Sequence, residues 1–296
     1  MHSRRHFLKT TALAAVGAPL MAHLPWQAIP YTVIKLRRDV GIFFERGGTI
    51  GWYMRKGESA LVDAQYPDTA EHLVEALELT KGQKADVLWN THHHGDHTAG
   101  NVFLQEYSSK IVAHEQVPVL QREQIESRRG DEDLAVYADT TFSDTYQLVV
   151  GKEKITGYHY GPGHTGGDSI VHFEKANVVH MGDLIFNQVY PYIDYGGGAD
   201  LEQWVGHLAE IEATFEKDTQ FIFGHSDSPE LVTGTIEDIV TKRTYLEQLI
   251  STVENAKKEG MSKAQIMEIP PFDENRRELW DGAWKHNLDA AFTLMG

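Results

Sequence analysis

Four imidazoles and a carboxylate fall within seven consecutive residues, Thr91-His92-His93-His94-Gly95-Asp96-His97, directly after the apolar run Val87-Leu88-Trp89. Imidazole nitrogen and carboxylate oxygen are the donors that suit zinc, and histidine-rich sets also take iron, manganese or nickel. Alternate residues of an extended or turning backbone point the same way, so His92 and His94 can converge on one ion while Asp96 and His97 face a second. His93 is expected to point away from both.

Three later segments each present a single His or Asp on a turn after an apolar strand. Gly161-Pro162-Gly163-His164-Thr165-Gly166-Gly167 is glycine-rich enough for backbone to approach an ion closely and offers His164. Val178-Val179-His180-Met181-Gly182-Asp183 places Asp183 among apolar neighbours, where a carboxylate needs a partner, and a position between two cations supplies one. Phe223-Gly224-His225 offers His225. His114, His159, His172, His180 and His207 lie outside these motifs and read as core or supporting residues, with His159 and His180 nearest the site.

These turns need strands to carry them. Val33–Leu36, Val40–Phe44, Thr49–Met54 and Ala60–Asp63 read as short strands of a meander. Asp68 with Glu71 predicts a capped helix bearing Leu73, Val74 and Leu77 and stopped by Gly82. Val87–Asn90 is a buried strand whose end delivers the histidine cluster, Thr98–Asn101 opens a helix, and Lys110–His114 is a further strand. Short strands and tight turns fill about 140–186. Asp200 with Gln203 starts a helix over 200–216, and Phe221–Phe223 is expected to be the last strand. A long helix through Ile236 and Val253 ends at Gly260, and Ser262 with Gln265 starts the next. The absence of repeats or a Pro/Ser-rich linker predicts one domain over 23–296, with a helical C-terminal extension from about 229. Its Trp280 and Trp284 either pack on the body or form a dimer face; the oligomeric state stays open.

The N-terminus carries two adjacent arginines, Arg4-Arg5, then Phe7-Leu8-Lys9 and a weakly apolar stretch ending in small residues near Ala22. It resembles a twin-arginine signal over 1–22, which implies export by that machinery to the periplasm or beyond the cell. Removing those residues leaves 24 Lys and Arg against 43 acids, a formal charge of about −19. Such a surface opposes nucleic-acid binding and points to a small-molecule substrate. No apolar run approaches the roughly 20 residues of a membrane span, so no membrane association is expected. Cysteine is absent, which removes disulfides, thiolate nucleophiles and a lipoprotein anchor.

The order HxHxDH, GHTGG, strand-Gly-Asp, strand-Gly-His, carried here by His92 to His97, His164, Asp183 and His225, resembles the metallo-β-lactamase superfamily over roughly residues 32–240. The resemblance implies a four-layer αβ/βα sandwich with two mixed sheets, the metals lying in a groove between sheet edges. It implies that His92, His94 and His164 hold one metal, that Asp96, His97 and His225 hold the other, and that Asp183 bridges. Two zinc ions are expected, with iron or manganese as alternatives. Two metals about 3.5–4 Å apart can share a water and lower its pKa to near neutrality, so that the bridging hydroxide attacks an acyl carbon. Asp96 is then also the residue that steers this water or shuttles a proton. The expected activity is hydrolysis of an ester, thioester, lactone or β-lactam; an iron-dependent redox enzyme of the same fold is the weaker alternative. Asp183 speaks against a β-lactamase, Phe186 stands where acyl-homoserine lactonases carry Tyr, and the acidic chain fits a glutathione thioesterase poorly. Gln188–Gly198 reads as the substrate-facing loop, with Tyr190 and Tyr192 as contacts; Trp26, Tyr31 and Trp52 are further candidates for the groove wall.

Overall fold

In a computed structural model, residues 31–127, 135–273 and 276–296 are described. The twin-arginine segment and Trp26 lie outside them. Seven strands form the first sheet in the order β1 to β7: β1 (Thr32–Lys35), β2 (Val40–Phe44), β3 (Ile50–Arg55), β4 (Glu58–Val62), β5 (Val87–Asn90), β6 (Ile111–His114) and β7 (Thr140–Phe142). Its first four strands pair antiparallel and the rest parallel. The second sheet has the order β15-β13-β11-β10-β9-β8. Its strands are β8 (Thr145–Val150), β9 (Glu153–Tyr158), β10 (Ile170–Phe173), β11 (Val178–His180), β13 (Gln220–Ile222) and β15 (Thr233–Gly234). Only β11 and β13 run parallel there. A two-stranded parallel pair, β12 (Phe186–Asn187) with β14 (His225–Ser226), sets Phe186 opposite His225.

The two-residue period of a strand explains the layering. Val87 and Trp89 of β5 join Val171, Val178 and Ile222 of the second sheet in a core between the sheets. Leu88 points the other way and packs with Ala70 and Leu73 of α1 (Pro67–Ala76) and Leu104 of α3 (Asn101–Leu104). In the second sheet Ile170, Val179 and Phe221 turn outward, onto α5 (Leu201–Thr214), α6 (Ile236–Lys258) and α8 (Ala283–Leu294). Helices, sheet, sheet, helices make the expected four layers. Among the described residues no helix is long and apolar enough to cross a membrane.

Several local expectations are corrected. Helix α1 is capped by Tyr66 with Pro67 in its first turn, because proline's fixed φ is already helical and its missing N–H needs no partner there. Asp68 instead binds Arg46 at 2.7 and 2.6 Å. The helix ends at Ala76 rather than at Gly82, with Glu78 in the left-handed region. Two single turns, α2 (Gly95–Thr98) and α3, stand where one helix was expected. Phe221–Phe223 does not close the strand list: β14 and β15 follow, each two residues long and too short to show a period. Helix α4 (Gln116–Ser127) was not anticipated. The C-terminal helices pack on the second sheet: Trp284 is 4% exposed and its indole donates to Ile269 O at 2.7 Å.

Candidate metal centre

The histidine cluster leaves the end of β5 at the rim of the first sheet, while His164, Asp183 and His225 come from turns at the rim of the second. They meet there. His94 Nδ1 lies 3.1 Å from His92 Nε2 and 3.0 Å from His164 Nε2, and Asp183 Oδ2 is 3.7 and 3.5 Å from the latter two nitrogens. This quartet is buried, its donor atoms all within 4.8 Å of one another. Asp96, His97 and His225 form a second group. His225 Nε2 is 3.1 Å from Asp96 Oδ2 and 3.4 Å from His97 Nε2. Asp183 joins the two, with Oδ1 3.1 Å from His97 Nε2 and Oδ2 3.2 Å from His225 Nε2.

Hydrogen bonds at the outer ring nitrogens decide what the inner ones can do. His94 Nε2 donates to Asp194 Oδ2 at 2.9 Å, His164 Nδ1 to the Tyr192 carbonyl at 2.8 Å and His97 Nδ1 to Asp63 Oδ2 at 2.7 Å. A neutral imidazole that donates outward presents a lone pair inward. His94 and His164 therefore turn lone pairs toward the space they share with His92 and the carboxylate, an arrangement that repels itself unless a cation lies within it. Asp183 Oδ1 is buried too, and His97 Nε2, 3.1 Å away and without good hydrogen-bond geometry, faces it. The donor set fits a divalent metal centre, and outer partners of this kind fix ring orientation and donor basicity.

Without cations the same geometry polarises the titrations. Burial drives His92 well below the ordinary imidazole range and His164 down to about 3. Burial also opposes charge on His97 and His225, but Asp183, Asp63 and Asp96 outweigh it at His97, holding it well above its usual value, and Asp183 and Asp96 outweigh it at His225, which is raised to about 9. Asp183, although buried, is held far below the carboxylate range by His225, His97 and His92.

The supports come from four places. Asp63, at the end of β4 with φ of 67°, accepts from Thr91 N at 2.8 Å and Thr91 Oγ1 at 2.9 Å as well as from His97. His180 donates from Nε2 to Thr49 O at 3.0 Å and accepts Gly182 N at Nδ1 at 3.2 Å, fixing the turn that bears Asp183. Only glycine fits at 224, where a Cβ would stand 2.0 Å from Asp183 Oδ1 and 2.7 Å from Gly182 O. Asp168 accepts Thr165 N and Oγ1 at 2.8 and 2.6 Å and shapes the His164 turn, and burial raises its carboxyl to about 7. His159 donates to Asp168 O at 2.7 Å and stacks on His114 at 3.6 Å.

Asp63 and Asp194 escaped the sequence reading. Asp194 serves two rings, His94 and, at 3.3 Å, His93. His93 stays outside both ligand groups, its ring centre 6.3 Å from that of His92. It forms a third donor cluster with His94 and Asp194, in which Asp194 already accepts from His94 Nε2. Asp194→Ala is expected to weaken binding of one cation of the pair by about 10–100-fold, read by competition with a chromophoric chelator; equal affinity for both cations in variant and wild type would remove Asp194 from this role.

A cavity of about 400 Å³ opens over the cluster, walled by Tyr66, Gln124, Phe186, Tyr192, Leu279 and Trp280, with His94, Asp96, Asp183 and His225 at its floor. Tyr192 lines this cavity. Tyr190 does not: it is 2% exposed, packs on Tyr245 and Trp284 and donates to Asp273 O at 2.8 Å, since its place in the chain turns it toward the helices. Tyr31 packs on Phe43, and Trp52 is buried beneath α1, so neither walls the cavity.

Comparisons with known proteins agree with this architecture. A hydroxyacylglutathione hydrolase of Maricaulis maris is 31% identical over 131 residues, 44% of each chain. The metallo-beta-lactamase type 2 of Elizabethkingia meningoseptica is 24% identical over 49% of this chain and 55% of its own. This chain thus spans about half the length of the curated relatives it matches. Among solved structures, a metallo-beta-lactamase from Pontibacter korlensis superposes with a TM-score of 0.59 at 19% identity, over 73% of this chain and 99% of that one. A double mutant of the sec-alkyl sulfatase PisA1 gives 0.68 at 13% identity, over 89% of this chain and 50% of that one. At such identities the superpositions speak for the fold alone. The family profile described as the metallo-beta-lactamase superfamily matches residues 45–225, more than half of the sequence, and the chain belongs to that superfamily.

Proposed function

We propose that this protein is a binuclear, zinc-dependent hydrolase of acyl bonds. His92, His94 and His164 hold one ion, Asp96, His97 and His225 the other, and Asp183 stands between them. Nitrogen-rich sets of this kind favour zinc. The observation that carries the reading is Asp183, whose two oxygens reach both histidine groups within 3.1–3.7 Å. When bound, the cations supply Lewis-acid polarisation of the carbonyl and acidification of water. The chain's own residues do the rest. Asp96, with its side chain 24% exposed toward the cavity, orients water and takes its proton, while Tyr192 and Trp280 hold the acyl group over the floor. Water adds across the acyl bond, giving a carboxylic acid and the alcohol, thiol or amine that leaves. The names of the curated relatives, a thioester hydrolase and a β-lactamase, support this reaction class.

Chelated protein is expected to hydrolyse none of a panel of esters, thioesters, lactones and β-lactams, and two equivalents of zinc to restore turnover. Metal-free protein with full activity would end the proposal. Loading should also release protons, because ligands bind deprotonated. The metal-free protein holds His225 charged at pH 7, its imidazole being raised to about 9. Proton release on loading should therefore include a share from His225 at pH 7 that vanishes as pH rises past about 9. Calorimetry in buffers of different ionisation enthalpy reads this release.

A further inference from the structure

The cavity wall has a chemical bias that the metal ligands do not. Phe186, Tyr192, Leu279, Trp280 and Tyr66 present hydrocarbon and ring surface, and among the described residues no Lys or Arg lines the cavity. The nearby arginines are engaged. Arg46 is bound to Asp68 at 2.7 and 2.6 Å and lies 4.3 Å over the Tyr66 ring. Arg276 is 8% exposed and bound to Asp273 at 3.2 Å, and Arg277 is bound to Asp227 at 2.7 Å. A second hollow, which shares Tyr192 and Gln124 with this cavity, carries Glu123 and Asp194. Among the described residues, the charged side chains that this hollow adds beside the cavity are acidic.

The ring wall is also held in place. Tyr192 stacks on His286 at 4.7 Å and 6° and meets Trp280 edge-on at 5.8 Å. Leu279, Trp280 and His286 all lie beyond residue 225, where the family profile match ends. An aromatic wall that keeps its shape favours a substrate with a flat or branched apolar group. A carboxylate placed there loses hydration and meets only the neutral donors of Gln124, Tyr66, Tyr192 and Trp280, with no Lys or Arg among the described lining residues to pair with it, which costs affinity.

Resting on the hydrolase reading above, we propose that the cavity selects uncharged esters or lactones with an apolar or aromatic acyl group. It discriminates against acyl groups bearing a carboxylate. The acidic rim has a second effect: the product acid ionises and is repelled from the mouth.

The test compares para-nitrophenyl valerate with para-nitrophenyl hemisuccinate on the zinc-loaded protein, each kcat/KM normalised to the ester's own hydroxide-catalysed rate. A preference for valerate of at least about tenfold is expected. Leu279→Arg, at a position already 40% exposed, should shift the ratio toward hemisuccinate by about tenfold. A second readout needs no turnover: uncharged hydrocinnamamide should quench Trp280 fluorescence, taken as the difference from Trp280→Phe, at about tenfold lower concentration than hydrocinnamate. Equal or better use of hemisuccinate, or a ratio that Leu279→Arg leaves unmoved, overturns the selectivity while leaving the hydrolase intact. Loss of metal-dependent turnover across the whole panel overturns both, and the quenching experiment then reports on the wall alone.

Discussion

Asp183→Ala is expected to lower kcat by on the order of a thousandfold, a barrier rise of about 4 kcal/mol. The Asp183 carboxylate reaches both histidine groups: Oδ2 lies 3.5–3.7 Å from His92 and His164, and the two oxygens lie 3.1–3.2 Å from His97 and His225. Its removal leaves His97 and His225 buried with less countercharge, which costs about 3–5 kcal/mol when one partner of a buried pair is deleted. The pH dependence gives an independent check on metal-free protein. The depressed Asp183 carboxyl contributes stability present above its ordinary value of about 3.9 and lost as pH falls below it. His225, raised to about 9, contributes stability present in full below about 6.5 and lost as pH rises through about 9. Both contributions operate between roughly pH 4 and 6.5, so the variant's loss in urea midpoint should be largest there. A loss of equal size at pH 5 and pH 10, or two zinc ions bound with kcat within tenfold of wild type, would contradict the bridging assignment.

Asp63→Asn should be nearly as damaging although Asp63 touches no proposed cation. Its carboxylate accepts three donors, Thr91 N at Oδ1 and both Thr91 Oγ1 and His97 Nδ1 at Oδ2. An amide of the same shape has one accepting oxygen. Turned one way, its NH2 faces the Thr91 amide; turned the other, it faces His97 and forces the ring to put its proton inward, where a lone pair is needed. The expected result is one zinc in place of two and kcat down by about a hundredfold or more, with Asp63→Ala further destabilised because alanine tolerates a φ of 67° poorly. Metal content by mass spectrometry together with kcat decides it: two zinc ions and unaltered kcat in Asp63→Asn would show that His97 holds its tautomer without help.

The contrast between Asp183 and Asp63 shows how far the sequence was legible. Both follow apolar strands, and an acid in such a place needs a partner. Asp183 belonged to an ordered set of four motifs. Asp63 sat among Ala60, Leu61 and Val62 with no histidine beside it, although the same test of a buried acid would have marked it. Asp194 carried no such signal. Its partner His94 is one hundred residues away in the chain, and only the docking of two sheet rims brings them together. Strand period sorted Val87 and Trp89 from Leu88 and so gave the layers. The single turns α2 and α3 and the two-residue strands β12, β14 and β15 were too short for any period to register. Tyr190 and Tyr192 show the limit in the other direction: two residues apart on an irregular loop, they look equivalent as types, yet Tyr190 turns into the helices and Tyr192 onto the cavity.

Helix α8 has a consequence for the timing of assembly. It binds the 190–197 loop through His286 Nε2 to Ile193 O at 3.0 Å and Asn287 Nδ2 to Pro191 O at 2.7 Å. That loop provides both Asp194 for His94 and the Tyr192 carbonyl for His164. On the ribosome, residues 283–294 emerge last of all the elements described, after every donor of the cluster. A nascent chain therefore displays its seven donors while the loop that aims two of them is still unclamped. The orientation of His94 and His164 thus waits on the docking of α8, the C-terminal-most element described, although the turns that carry the two rings are made before it.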